Sequence, residues 1–312
     1  MNMITRIKTD SREEWLALRK KYIGGSDAAA VVGLNPFSSP YALWAEKTGR
    51  MPEFEGNLAT EVGTYLEEFV ALKFTSETGK KVRRVNMSLI NSDYPWAIAN
   101  VDREVVGEQA LLELKTTDSI NLKRYKGGEY PDRYYVQIVH YFAVTGKERC
   151  YLAVLIGNKE FKIFTIERDE DEIAALMQAE ETFWECVKTD TPPAVDGTAS
   201  TTDAIKTIFA DDTEEETVDL SLHKADLSEY ISLGEQIKAL ESMRDEAANR
   251  VKAYMGDAGT GECEGYRVTW RTSERSSFDS KRFTKDNPDL DLGGYYKTSQ
   301  VRTFRVSEKK GA

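Results

Sequence analysis

The chain has 312 residues, with 42 Lys and Arg against 53 Asp and Glu, a formal net charge of −11 that excludes a generic basic nucleic-acid coat protein. Hydrophobic residues at 40% and charged residues at 30% make an ordinary globular mixture, which excludes wholesale disorder and leaves material for one large core or two smaller ones. No run approaches the roughly 18 apolar residues of a membrane span, Met1 to Asp10 lacks a signal-peptide core, and Cys150, Cys186 and Cys263 are too scattered for a disulfide framework or a zinc site, so a soluble cytoplasmic protein is expected.

Taken in chain order, Ser11 to Arg19 opens as a helix, with Glu14 three residues after Ser11 as a capping box requires. Tyr41 to Thr48 and Glu61 to Thr78 read as amphipathic helices, the second with Val62, Leu66, Phe69, Val70 and Phe74 at helical spacing. The apolar runs Trp96 to Val106 and Ala110 to Lys115 suit neighbouring strands joined by a turn at Gly107. A helix over Tyr134 to Val144 follows, then a hairpin of Arg149 to Ile156 and Glu160 to Ile166 around Gly157-Asn158, then a closing helix over Glu170 to Lys188. Strands flanked by helices imply an α/β core over residues 1–190.

Residues 191–229 carry ten acidic residues and two lysines, a net of −8, so most of the chain's acidity is local. The Pro192-Pro193 start and the run Asp211-Asp212-Thr213-Glu214-Glu215-Glu216 predict an acidic linker, with a solvated loop on one continuous domain as the alternative. In the extension over residues 230–312, Tyr230, Leu233, Ile237, Leu240, Ala247, Val251 and Tyr254 form a short heptad seam interrupted by Arg244. Packing inside its own small domain is the ordinary explanation of such a seam. Strands are expected at Gly265 to Arg271 and Gln300 to Val306.

The chemistry concentrates in Ile98-Ala-Asn-Val-Asp102-Arg and Leu111-Leu-Glu113-Leu-Lys115-Thr. On a strand, Glu113 and Lys115 share one face while Leu112 and Leu114 share the other. Asp102 brings a second carboxylate, and two adjacent carboxylates repel unless a divalent cation, most naturally Mg²⁺, lies between them. A lysine nearby supplies positive charge where a water loses its proton and a phosphate gains charge. The short half, Glu-x-Lys or Asp-x-Lys, recurs at Glu160-Phe-Lys162, Asp279-Ser-Lys281 and Glu308-Lys-Lys310, but without a preceding apolar strand ending in Asp. Alone, the motif would read as a cross-strand ion pair.

Three further segments accompany it: Trp15-Leu-Ala-Leu-Arg19 with Ile23-Gly-Gly-Ser26-Asp27-Ala-Ala-Ala-Val-Val-Gly33, Gly63-Thr-Tyr-Leu-Glu67-Glu68, and Tyr134-Tyr-Val-Gln137-Ile-Val-His140-Tyr-Phe-Ala-Val-Thr-Gly146. In order and spacing the set resembles the YqaJ-like viral recombinase family, relatives of the phage lambda-type alkaline exonuclease within the PD-(D/E)xK nuclease superfamily. The resemblance covers roughly residues 10–190 and implies a restriction-endonuclease-like α/β (α+β) core, a central mixed β-sheet flanked by helices, with a C-terminal helix and strand extension.

Position by position, the resemblance implies that Glu67, Asp102 and Glu113 bind metal with the Leu114 carbonyl, that Lys115 lies against the attacking water, and that Gln137 orients the water or the lysine. Glu68 competes with Glu67, and His140 reads as a satisfied, partly buried histidine. Arg19 and Ser26, seven residues apart, match positions holding a terminal 5′-phosphate; arginine suits bidentate phosphate contact, and Gly24-Gly25 lets backbone approach an anion or simply makes a tight turn. Lys80-Lys81 with Arg83-Arg84, Lys123-Arg124 with Lys126, and Arg271 with Arg275 are available for phosphate contact or for solvated surface.

The implied activity is a Mg²⁺-dependent 5′-to-3′ exonuclease on linear double-stranded DNA, with two ions per site and Mn²⁺ as a substitute, leaving 3′ single-stranded tails. The resemblance also implies a homo-oligomeric ring, a trimer, a single-strand annealing protein as partner, and phage or prophage origin in a bacterial cytoplasm. The competing readings are an endonuclease or repair nuclease of different polarity and a non-catalytic DNA-binding scaffold.

Overall fold

In the computed structural model, residues 3–52, 56–212, 217–298 and 301–307 are described. The chain divides into two units, residues 1–210 and 211–312. In the first, β1 (Ile4–Ile7), α1 (Arg12–Arg19), β2 (Ile23–Gly24), α2 (Gly25–Val31), α3 (Pro40–Lys47) and α4 (Leu58–Thr78) lead into β3 (Val82–Arg84), β4 (Ser88–Asn91), β5 (Ala97–Ile98), β6 (Arg103–Val105) and β7 (Ala110–Thr117). A 3₁₀ stretch, Ser119–Gly128, then α5 (Asp132–Thr145), β8 (Arg149–Ile156), β9 (Glu160–Glu167), α6 (Glu170–Lys188) and α7 (Ala199–Ile208) complete it.

The main sheet has the order β3-β6-β7-β8-β9. It is mixed: β7 pairs antiparallel with β6 and parallel with β8, with Glu113 opposite Leu152 and Lys115 opposite Val154. The parallel step needs a crossover, which α5 supplies between β7 and β8. Strand alternation then sorts β7's side chains. Leu112 and Leu114 pack with Val70, Ala71 and Phe74 of α4 on one face, while Leu111 joins Ile138 and Phe142 of α5 on the other. The sheet is thus a middle layer between α4 and α5, and the face carrying Glu113 and Lys115 turns toward α5.

Local chemistry fixes the ends of the helices. Ser11 Oγ accepts the Glu14 N–H at 3.1 Å at the start of α1, but the Glu14 carboxylate returns to the Asp10 N–H at 2.9 Å, one residue outside the expected capping box. Gly79 ends α4 and Gly146 ends α5, both left-handed, a conformation that favours residues without a Cβ.

Three further expectations for the first unit need correction. The run Trp96 to Val106 is not one strand but β5 and β6 separated by residues 99–102, because β5 pairs with β2 whereas β6 pairs with β3 and β7. On α4 the buried residues are Val70, Ala71 and Phe74; Val62 and Phe69 are exposed, since the helix turns a second apolar stripe to solvent. Within the expected linker, residues 199–208 form α7, whose Ala204 is fully buried and whose Thr201 donates to Ser39 Oγ at 2.7 Å beside α3.

The second unit contains α8 (Lys224–Met255), the hairpin β10 (Thr260–Cys263) and β11 (Tyr266–Thr269), and α9 (Ser280–Asp286). No residue of α8 is buried, and among the described residues its heptad seam is exposed rather than packed inside its own unit as expected, with Tyr230 meeting the Phe304 ring at 5.5 Å. Of the expected strand at residues 300–306, Gln300 lies outside the described residues and 301–306 form no strand.

Phe74, fully buried between α4 and the sheet, tests the layered core. Phe74→Ala is expected to lower unfolding free energy by about 3–5 kcal/mol, read from the shift in urea midpoint.

Candidate active site

β7, the interruption between β5 and β6, α4 and α5 together position the polar groups. The ladder between β6 and β7 ends at Arg103 opposite Leu112, which leaves the edge of β7 beyond that point without a strand partner on this side. Asp102 takes the place: its Oδ2 accepts the Leu114 N–H at 2.8 Å. In extended backbone the N–H and carbonyl of one residue face the same way, so the Leu114 carbonyl is directed to the side where Asp102 lies.

Glu113, only 2% exposed, accepts at Oε1 from Lys115 Nζ at 2.5 Å and from Gln137 Nε2 at 2.9 Å. Its Oε2 is buried without a hydrogen-bond donor among the described residues. Burial, followed by the Asp102 charge beside it, raises the Glu113 pKa, with Lys115 pulling the other way. Asp102 is raised by burial too, opposed by Lys115 and the Leu114 N–H. For Lys115, burial would favour the neutral amine, but Glu113 and Asp102 outweigh it and hold the ammonium charged.

α4 offers both glutamates, and geometry separates them. Glu68 is bound by Arg84 at 2.8 Å and by the buried Arg103 at 3.3 Å. Glu67 is half-buried, with its pKa raised by burial and then by Asp102, and its Oε2 lies 3.9 Å from Arg103. Glu67 therefore faces the Asp102 side and Glu68 the arginines. Among the described residues, no three Asp, Glu, His or Cys side chains are drawn close enough to form a ready cation cage. The donor set nonetheless fits a divalent cation: a buried carboxylate oxygen lacks a partner, a second carboxylate repels the first, and all available donors are the hard oxygens that Mg²⁺ takes.

Three residues that the motif spacing does not single out complete the constellation. Tyr141 accepts a second bond from Gln137 Nε2 at 2.8 Å and donates to the Asn100 carbonyl at 2.9 Å, which orients the glutamine toward Glu113. Its place four residues after Gln137, on the same helix face, is the signal that could have found it. The Tyr134 ring centroid lies 5.3 Å from Lys115 Nζ. Asn100 Oδ1 accepts from Ser88 Oγ at 2.6 Å and Trp15 Nε1 at 3.4 Å, which fixes which end of its amide is left over as a donor.

On the other side, Arg19 Nη2 donates to Ser26 Oγ at 3.2 Å and to Asp27 Oδ1 at 3.1 Å, and the guanidinium lies 4.9 Å from the Trp15 ring centroid. Arg19 and Ser26 are thus brought together. A polar cavity of about 310 Å³ with Trp15, Arg84, Ser88 and Asn100 in its walls also reaches Glu67 and Asp102, so Trp15 links the two groups. His140 is fully buried, beyond the partial burial expected, with Nδ1 2.7 Å from Glu180 and Nε2 3.0 Å from the Ile98 carbonyl. Of the basic clusters in this unit, Lys80, Arg83 and Arg84 pair with Glu108, Glu104 and Glu68, whereas Lys123, Arg124 and Lys126 are exposed.

A mixed sheet between helices, with Asp102 at a strand interruption and Glu113-x-Lys115 on the next strand, defines the PD-(D/E)xK nuclease fold class. An alkaline exonuclease from Laribacter hongkongensis shares the fold at a TM-score of 0.50 and 23% identity, over 57% of this chain and 94% of its own. The YqaJ-like viral recombinase domain matches residues 14–148. The uncharacterized protein YqaJ of Bacillus subtilis (strain 168) is 38% identical over 300 residues, 95% of this chain and 93% of the relative. A shorter match, 37% over 71 residues, is to protein D345L of African swine fever virus (strain Badajoz 1971 Vero-adapted), covering 22% of this chain and 21% of that protein. The chain belongs to the YqaJ-like viral recombinase family.

The buried Asp27 carboxyl couples stability to pH. Burial would raise its pKa, but Lys47 and Arg19 outweigh it and hold the carboxyl at about 2, below the ordinary 3.8. A depressed carboxyl contributes stability that is complete above its unfolded pKa and lost as pH falls through the folded value. Between pH 5 and 2 the wild-type chain is expected to lose about 2 kcal/mol more than Asp27→Asn, measured by urea unfolding at each pH.

Proposed function

We propose that the chain is a Mg²⁺-dependent exonuclease that degrades one strand of linear double-stranded DNA from its 5′ end and leaves a 3′ single-stranded tail. The observation that carries this reading is the environment of Glu113: a nearly dry carboxylate, one oxygen fixed by Lys115 and Gln137, the other without a partner, facing a second carboxylate. Glu67, Asp102, Glu113 and the Leu114 carbonyl would hold the metal, two ions by family resemblance, with Mn²⁺ able to substitute. A Mg²⁺ held there would supply Lewis-acid polarisation of the phosphodiester and lower the pKa of the attacking water.

The protein groups divide the remaining work. Lys115 Nζ, kept protonated by Glu113 and Asp102, offers positive charge to the nucleophile and to the phosphate oxygens as they gain charge. Gln137, held at its amide nitrogen by both Glu113 and Tyr141, keeps Glu113 from turning away. Its own carbonyl is left to accept from a water. Arg19 and Ser26 take the terminal 5′-phosphate, and Trp15, which stacks on Arg19, also lines the cavity that reaches Glu67 and Asp102. The exposed Lys123, Arg124 and Lys126 are available to the DNA backbone. Family resemblance further suggests a ring-shaped homotrimer enclosing the duplex and a single-strand annealing protein as partner in phage-type recombination. A closed ring would make digestion processive.

The test is digestion, with Mg²⁺, of a linear duplex labelled separately at each end of each strand, beside a covalently closed circle. Early release of 5′ label from linear DNA alone is expected, and cutting of the circle would instead indicate an endonuclease. Glu113→Ala is expected to reduce cleavage by at least about 10³-fold while DNA binding persists; unchanged cleavage would remove Glu113 from the site. Binding without cleavage by the wild-type chain would favour a scaffold.

Arg19→Ala is expected to weaken the preference for 5′-phosphorylated over 5′-hydroxyl ends by about tenfold, measured as the ratio of kcat/KM on the two substrates.

A further inference from the structure

Asp27 accepts from four donors: Arg19 Nη2 at 3.1 Å, Ser26 Oγ at 3.5 Å, the Gly24 N–H at 3.0 Å and Lys47 Nζ at 2.7 Å. Lys47 comes from the far end of α3, its side chain only 2% exposed, and its ammonium also donates to the Arg19 carbonyl at 3.0 Å. Two cations therefore share one carboxylate. Burying an ammonium is unfavourable unless it is paired, and one arginine would already satisfy one carboxylate. An Arg19–Asp27 pair alone would present no net charge to an incoming anion.

With Lys47 included, the cluster carries one excess positive charge, and of its two cations only Arg19 reaches solvent, its side chain 27% exposed. Nε and Nη1 of Arg19 make no hydrogen bond among the described residues. Stacking on Trp15 holds the guanidinium plane while Asp27 holds its Nη2, so the free donors are already aimed before any ligand arrives.

We propose that Lys47 and Asp27 are positioning residues for Arg19 and Ser26: Asp27 aims the guanidinium, and Lys47, which lies behind it without reaching the ligand, cancels the Asp27 charge so that the site selects a 5′-phosphate over a 5′-hydroxyl. The inference rests on the phosphate reading of Arg19 and Ser26 given above. It makes discrimination follow the net charge of the cluster.

The test measures dissociation constants for a blunt duplex labelled at a 3′ end and bearing either a 5′-phosphate or a 5′-hydroxyl. Fluorescence anisotropy in EDTA reads binding while no strand is cut. The wild-type chain is expected to favour the phosphate by about tenfold or more. Lys47→Met, with the cluster neutral, is expected to lose about tenfold of that ratio, and the double variant Asp27→Asn/Lys47→Met, in which the amide oxygen still accepts from Arg19 Nη2 while the excess charge is restored, to regain it.

A ratio unchanged in Lys47→Met would overturn the inference while leaving the Arg19 reading in place. No preference in the wild-type chain would overturn both. Should Lys47→Met fail to fold, as circular dichroism would report, the double variant decides: a ratio like that of the wild-type chain supports the charge account, and a lost ratio overturns it.

Discussion

Asp102 and Glu113 repel each other in surroundings from which water is largely excluded, and much of the first unit is arranged around holding them there. Charge repulsion strengthens as the local dielectric falls, so each carboxylate needs a fixed opposing group. Glu113 has Lys115 from its own strand and Gln137 from α5; Asp102 has the Leu114 N–H that the end of the β6 ladder leaves free. Sheet order is part of this arrangement. With a short antiparallel neighbour on one side and a full-length parallel neighbour on the other, β7 offers both an open backbone edge and a rigid base.

The same alternation explains what the sequence reveals. Period-two patterning in Leu111 to Lys115 is enough to put Glu113 and Lys115 on one face and Leu112 and Leu114 on the other, because the rule needs nothing beyond the strand itself. The α6 limits and the Gly157 hairpin are equally local. What the pattern does not carry is the choice made between elements. Leu58, Val62, Tyr65, Phe69 and Leu72 form one apolar stripe along α4 and Val70, Ala71 and Phe74 lie off it, so periodicity alone does not say which side meets the sheet. Nor does an apolar run say where its partner changes, which is why Asp102 falls in a gap between two short strands.

Site residues divide in the same manner. Those lying within a compact motif are legible, and the offset of Arg19 from Ser26 is one of them. Asn100 and Tyr134 lie inside the motifs, but their partners, Trp15 and Ser88 for the one and Lys115 for the other, come from elsewhere in the chain, and Lys47 lies 20 residues from its carboxylate, in a helix whose own pattern reads only as core. Buried charge also distinguishes the two units. The first encloses Asp27, Arg103, Glu113 and Glu180, whereas the described residues of α8 leave every charge and every seam residue accessible.

A Cβ placed on Gly25 would lie 2.4 Å from the Tyr141 ring, well inside contact distance. The turn that presents Ser26 is therefore pressed against the phenol on which Gln137 rests, with no side chain between them to yield. Movement at the turn before Ser26 must be followed by α5, and movement of α5 by the turn. The placing of Ser26 relative to Gln137 is accordingly a property of one stiff body, a caliper whose setting is fixed by the absence of a single methyl group.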